Sequence, residues 1–330
     1  MTIEAQTVPE RQATPANATE VTVDVQNVTK TYGATVAVNN VSFQASKGEI
    51  VGFLGPNGAG KSTTIKILTC YIVPQSGSVS VNGHDVLTNS LEVRRSIGYL
   101  PETTALYPDM RVQDYLNFVT RVRRIPAGLR KSRIDKVVVQ TGIQRMMKKA
   151  IGHLSKGYRQ RVGLAQAMIH DPPILILDEP TSGLDPHQII EIRQLIRELG
   201  KEKLVLFSSH ILQEISAICT RLLVIKDGTL VANGSPEELL EASTGGRSYH
   251  VRLESPPGDA QSRLEEMESV TRAHVVASSV GQETYEVVAE NGRDIAPDIY
   301  ELAKSSGWVL SRLEGKGKSL EDLYLELTEN

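Results

Sequence analysis

Cysteine and tryptophan are nearly missing from this chain: its 330 residues include two cysteines, Cys70 and Cys219, and one tryptophan, Trp308. Neither cysteine has a second one at metal-ligand spacing, which excludes zinc modules and a disulfide framework. Both read as small buried hydrophobes in a reducing compartment. Long apolar runs are missing too. No stretch reaches the about 18 to 20 consecutive apolar residues that span a bilayer, and no basic segment followed by an apolar one opens the chain. A membrane-spanning or secreted protein is therefore not expected. Charge of one sign is not in excess either: 36 Lys and Arg face 39 Asp and Glu, for a net charge of -3. That balance argues against a protein that binds nucleic acid over its whole surface. Residues 1–20 lack any hydrophobic period and are rich in Ala, Thr and Pro, so a disordered tail is expected there.

What is present reads as two domains. Over 21–49, alternating segments predict antiparallel strands with turns at Gly33 and Gly48. From Ile50 the pattern changes. Short apolar runs (50–54, 97–100, 174–177 and 204–208) alternate with helical stretches, which predicts a parallel α/β sheet. A helical insertion is expected over about 108–165. Residues 120–150 hold ten Arg or Lys against the single acid Asp135, a local net of +9. A second, smaller α+β domain is expected over 245–330, where the segments run β-α-β-β-α-β, the ferredoxin-like order. From Glu241 onward there are 17 acids and 9 bases, so this part is acidic.

The most specific motif is the run Gly55, Pro56, Asn57, Gly58, Ala59, Gly60, Lys61, Ser62, which matches G-x-x-x-x-G-K-[ST] and sits between a predicted strand and a predicted helix that opens at Thr63. Glycines let backbone N–H groups close around phosphate oxygens, Lys61 offsets phosphate charge, and the Ser62 hydroxyl reaches Mg²⁺. A nucleoside triphosphate with Mg²⁺ also needs a carboxylate at a neighbouring strand end. The apolar run 174–177 ends in Asp178 and Glu179, which fit a metal-shell ligand and a general base for water. A second turn, His153-Leu-Ser-Lys-Gly-Tyr158, opens a long amphipathic run. Ser155 can cap that helix, and its first-turn donors suit an anion.

With this turn ahead of the Asp178 strand and Ser182-Gly-Leu-Asp185 behind it, residues 21–240 resemble the ATP-binding cassette (ABC) family. The resemblance implies a P-loop ATPase fold with a parallel sheet core, an antiparallel β subdomain and a helical insertion. It also implies that ATP and Mg²⁺ are bound. Ser155, Gly157 and Tyr158 would grip the γ-phosphate of ATP held by a second, facing copy, with Lys156 standing where the family commonly has Gly. Tyr32 would stack on adenine, His210 would contact the γ-phosphate and hold the attacking water, and Asp185 would act across the dimer. Glu102 stands where the family usually has a Gln that joins the magnesium shell and senses the membrane partner; a carboxylate there can still ligate Mg²⁺ but adds negative charge.

The expected function is that of an ATP-hydrolysing subunit at the inner face of the cell membrane. It would power a transporter whose permease is another chain, with the insertion docking the permease and its basic residues near the anionic leaflet. No nucleic-acid partner is expected. The form of residues 98–102 and the ending 319–329 resemble the exporter branch, including multidrug and gliding-motility-type ATPases. A soluble ABC ATPase of DNA repair or translation is the alternative. It is disfavoured because only about 90 residues separate Ser62 from Ser155, too few for a long coiled coil.

Overall fold

A computed structural model describes residues 21–242, 248–290, 293–316 and 319–329. The tail expected over 1–20 and the first residues of the domain expected over 245–330 lie outside the described residues. Two compact units emerge: residues 21–52, 58–209 and 227–229 form the first, and residues 53–57, 210–226 and 230 onward the second.

The first unit opens with β1 (Val21–Tyr32) and β2 (Thr35–Ser46), an antiparallel pair closed by a turn in which Gly33 takes φ 56°. Next come β3 (Ile50–Leu54), α1 (Lys61–Leu68), β4 (Ser76–Val81) and β5 (His84–Asp85). Strands β2-β1-β4-β5 form one antiparallel sheet in that order. The chain continues through α2 (Ser90–Ser96), β6 (Ile97–Leu100), α3 (Val112–Val122), α4 (Ala127–Gln140) and α5 (Lys156–Met168). It then forms β7 (Ile174–Asp178), α6 (Pro186–Gly200) and β8 (Leu204–Ser208).

Strands β3, β8, β7 and β6 neighbour one another in that order, and β6, β7 and β8 run parallel. Every residue of β3, β7 and β8 is buried. This is why those strands read as unbroken apolar runs: helices cover both faces of a parallel sheet. Each Leu, Ile or Val buried there contributes about 1.5 to 3 kcal/mol.

One local expectation fails. The apolar run after Ser62 reads as a helix through Ile72, but α1 stops at Leu68. Cys70 takes φ 57°, and the Tyr71 N–H turns back to the Lys66 carbonyl at 2.8 Å, closing the last turn with a left-handed residue. Cys70 is consequently half-buried, whereas Cys219 is buried as expected.

The second unit contains α7 (Leu212–Ser216), the neighbouring strands β9 (Arg221–Lys226) and β10 (Thr229–Gly234), and α8 (Pro236–Ala242). It then runs β11 (Ser248–Glu254), α9 (Ala260–Glu265), β12 (Val270–Ser279), β13 (Gln282–Ala289), α10 (Ala296–Ser305), β14 (Val309–Lys316) and α11 (Leu320–Glu329). The sheet order is β12-β13-β11-β14, antiparallel throughout, which is the β-α-β-β-α-β arrangement read from the sequence. Tyr249, Val251 and Leu253 alternate inward on β11 and meet Tyr285 and Val287 of β13 and Ala260 and Leu264 of α9 in one core.

Candidate active site

The phosphate-binding turn is shaped by its glycines. Gly58 and Gly60 take φ 83° and 110°, a region that L side chains rarely enter. Gly60 is also crowded, because a Cβ there would collide with the Ala37 carbonyl and lie 3.5 Å from Gly228 Cα. The Gly228 N–H donates to the Ala59 carbonyl at 2.9 Å, and the Asn39 N–H donates to the Gly228 carbonyl at 2.8 Å. The turn is thus held from behind by backbone, with no side chain between. From it α1 starts at Lys61 without a side-chain cap, an arrangement that suits an anion at the positive helix end. Gly55, Pro56 and Asn57 join β3 to this turn in the chain.

Lys61 is buried at 8 % exposure. Burial pulls its ammonium below the ordinary lysine range, while the charges of Glu179 and Asp178 pull it back up. Both acids thus lie within electrostatic reach of the Lys61 ammonium. Asp178, the last residue of β7, is 6 % exposed, and burial lifts its carboxyl above the usual range. The Ser208 hydroxyl donates to Asp178 Oδ1 at 2.6 Å and counters that shift, as does Lys61, while Glu102 adds to it. Glu102, itself exposed, lies within electrostatic reach of Asp178.

Glu179 leaves the strand at φ 51°, a left-handed conformation that costs a non-glycine residue about 1 to 3 kcal/mol and recurs at functional sites. Its N–H donates both to the Ser208 carbonyl at 3.2 Å and to Ser208 Oγ at 3.1 Å. Ser208 thus fixes both neighbouring acids from the end of the adjacent parallel strand, where Asp178 and Ser208 are register partners. Ser208 belongs to no motif in the sequence. Its signal was a pair of polar residues, Ser208 and Ser209, ending a strand that is otherwise wholly apolar. His210 follows directly in the chain.

Ser155 caps α5, accepting the Tyr158 N–H at 3.4 Å. The neighbours of this turn belong to the segment after Glu179, since a Cβ on Gly157 would collide with the side chain of Gln188. Asp185 caps α6 by accepting the Gln188 N–H at 2.9 Å, with Pro186 in the first turn. Tyr32 ends β1, 48 % exposed, with the Lys30 ammonium 5.6 Å from its ring centre. The structure therefore brings Lys61, Asp178, Glu179 and Glu102 together, and joins Gly157 to the 182–188 segment of its own chain.

The family model described as ABC transporter matches residues 38–182. An ABC transporter ATP-binding protein of Bacillus subtilis, YxlF, is 34% identical over 306 residues, covering 92% of this chain and 99% of that protein. The bacitracin transport ATP-binding protein BcrA of Bacillus licheniformis is 38% identical over 211 residues, 63% of this chain and 68% of that one. Among solved structures, the dimeric post-hydrolysis state of the cassette MJ0796 bound to ADP and Pi matches with a TM-score of 0.60 and 27% identity, covering 64% of this chain and 98% of that one. A glycine-shaped phosphate turn facing two strand-end carboxylates, joined to a relative that the chain spans almost end to end, means that this protein belongs to the family of ABC transporter ATP-binding proteins and carries its ATP-hydrolysing cassette.

Proposed function

We propose that the protein drives export through a separate membrane-spanning permease, working as a two-fold dimer that closes on two molecules of Mg-ATP. The observation that carries the catalytic part is the buried Lys61 ammonium facing Asp178 and Glu179, with Ser208 holding both acids. In this reading the backbone of Gly55–Thr63 and the Lys61 ammonium bind the triphosphate, and Tyr32 stacks on adenine. Ser62, Asp178 and Glu102 supply oxygen ligands for Mg²⁺. The donor set fits a hard cation, because Asp178 and Glu179 act on one buried ammonium and Glu102 adds its charge at Asp178, leaving negative charge that a divalent ion neutralises. The cation would offset charge on the transferring phosphoryl group. Glu179 takes the proton of the attacking water, and His210 orients that water against the γ-phosphate. Ser155, Gly157, Tyr158 and Asp185 act on the nucleotide of the partner copy.

The permease reading draws on a cavity of about 1020 Å³ beside α2 and α3, lined by Tyr71, Tyr107, Tyr115 and Phe118 together with Arg94, Arg95, Arg123 and Arg124. Aromatic faces and four guanidinium groups with no carboxylate in the lining suit an amphipathic, acidic cytoplasmic segment of a permease. No helix among the described residues is long and apolar enough to cross a membrane, so the spanning part is assigned to another chain. The protein then sits peripherally on the cytoplasmic face. Export follows the name of another relative, the Nod factor export ATP-binding protein I of Burkholderia orbicola, 35% identical over 224 residues. Residues 21–240 form the cassette in this reading, and 245–330 an accessory domain.

The decisive variant is Glu179→Gln, which keeps every phosphate contact and removes the base. It should bind Mg-ATP, form a stable dimer by light scattering, and lose at least about 10²-fold in kcat. Wild-type turnover, or a monomer at saturating Mg-ATP, would refute the assignment.

A further inference from the structure

Lys156 stands where the resembled family commonly has glycine, and although the residue is exposed its side chain is not free of the protein surface. It lies along Gly183: a Cβ built on that glycine would meet Lys156 Cε at 2.8 Å and Cδ at 2.9 Å, and would collide with Nζ. Gly183 takes φ 72°, so glycine is required there by backbone conformation as well as by the lysine stem above it. The reverse contact is made by Gln188. Its side chain covers Gly157 so closely that a Cβ would fall 2.9 Å from Gln188 Cδ and 3.0 Å from Nε2. Each segment thus places one long side chain over a glycine of the other.

The 182–188 segment is in turn tied to the hydrolytic centre by backbone. The Ser182 N–H donates to the Glu179 carbonyl at 3.1 Å, and the Leu184 N–H donates to the Thr181 carbonyl at 3.2 Å. Asp185 then caps the helix that carries Gln188. Short contacts thus join Glu179 to the 182–188 segment, and that segment to the 155–158 turn, all inside one chain.

We propose that Lys156 is a positioning residue for ATP hydrolysis: with Gln188 it latches the 155–158 turn to the 182–188 segment of the same chain, so that both approach the facing copy's nucleotide as one piece. The inference rests on the sandwich-dimer reading above, in which both segments act in trans. Its physical basis is that a latched pair loses its relative freedom once, within the monomer. Two independent segments would each have to be ordered at closure, when the γ-phosphate must be met within a fraction of an ångström. The latch is a packing contact in which Nζ, Cε and Cδ all lie over Gly183, so a methionine, which has atoms at the Cδ and Cε places but no charge, keeps most of it.

Two substitutions separate stem from charge. Lys156→Gly removes the stem, and Lys156→Met keeps its length without the ammonium. For the purified protein with Mg-ATP, Lys156→Gly should lower kcat about tenfold or more while KM for ATP stays within about twofold, since the phosphate turn that binds ATP is untouched. Lys156→Met should restore kcat to within about twofold of wild type. Gln188→Ala should lower kcat like Lys156→Gly, and the double variant should lose less than the product of the two single losses. Thermal midpoints within a few degrees of wild type would exclude a folding defect, as expected for an exposed residue in the first turn of α5. Wild-type kcat in Lys156→Gly would overturn the proposal. A loss in Lys156→Met equal to that in Lys156→Gly would overturn it too, because the ammonium alone would then be responsible. The underlying reading is checked separately: failure of Glu179→Gln to dimerise on Mg-ATP, with Lys156 intact, refutes the sandwich whatever the lysine variants do.

Discussion

Ser208 serves two carboxylate residues with one side chain, donating its proton to Asp178 and accepting the backbone N–H of Glu179. Both bonds lie at a buried strand end, where a carboxylate left without its donor costs about 1 to 3 kcal/mol. Ser208→Ala should therefore lower stability by that amount in urea titration. It should also lower kcat more than the stability loss explains, because Glu179 would no longer be held at its left-handed angle by two acceptors. Ser208→Thr keeps the hydroxyl and should recover most of both losses if the added methyl is accommodated at this fully buried position. An unchanged kcat in Ser208→Ala would mean that the Ser208 carbonyl alone positions Glu179. Lys61 shows the other side of the same chemistry. Its burial disfavours the charge it needs, and the two facing acids restore it, so Lys61→Ala should leave uncompensated carboxylates and abolish productive ATP binding in an equilibrium titration.

Among the elements, Asp171 joins three pieces of the first unit. It follows α5 at φ 56°, and its carboxylate meets Arg133 of α4 at 2.6 Å and Lys203, next to β8, at 2.8 Å. The lysine also donates to the Pro172 carbonyl at 2.6 Å. Burial pushes the Asp171 carboxyl up, but hydrogen bonds from Lys203 and Arg133 outweigh it and hold the group well below the usual carboxylate range. A carboxyl depressed on folding stabilises the native state above its unfolded pKa and loses that contribution as pH falls through the folded value. Wild type should thus exceed Asp171→Asn in urea midpoint by a constant margin from pH 8 to about 5, and the margin should narrow below about pH 4. A margin independent of pH would show that the pairs contribute through shape rather than charge.

The same elements show what a sequence makes legible. The buried strands were readable because β3, β7 and β8 are apolar at nearly every position. The phosphate turn and the Asp178-Glu179 pair were readable because their chemistry is carried by residues adjacent in the chain. Ser208 and Gln188 were not, since each acts on a residue at least 29 positions away. The basic stretch 120–150 was legible as charge but not as surface. Arg133 is committed to Asp171, the Arg123 guanidinium donates to the Arg94 carbonyl at 2.9 Å, and Arg130 donates to the Ile125 carbonyl at 2.9 Å, so part of the +9 serves the fold.

At the scale of the whole molecule, symmetry can test whether Ser155 serves its own nucleotide or its partner's. In a two-fold sandwich each site takes Lys61 from one chain and Ser155 from the other. Lys61→Ala and Ser155→Arg homodimers should both be inactive, the first without its phosphate clamp and the second with a bulky side chain directed at the partner's γ-phosphate. A mixed dimer gathers both lesions into one site and leaves the other intact, so random exchange restores about a quarter of the wild-type sites. ATPase activity should return on mixing, in proportion to the mixed dimers counted by native mass spectrometry. If Ser155 acted on its own chain's nucleotide, every site in the mixture would carry a lesion and the mixture would stay inactive. A requirement for two working sites would also give that silence. Wild type mixed with the Lys61→Ala, Ser155→Arg double variant separates the two explanations, because its mixed dimer has one lesion in each site of a sandwich but one wholly intact site in the own-chain arrangement. Activity of that mixed dimer, with none from the two single variants together, would overturn the trans assignment of Ser155 and with it the shared approach of the 155–158 and 182–188 segments to a partner's ATP.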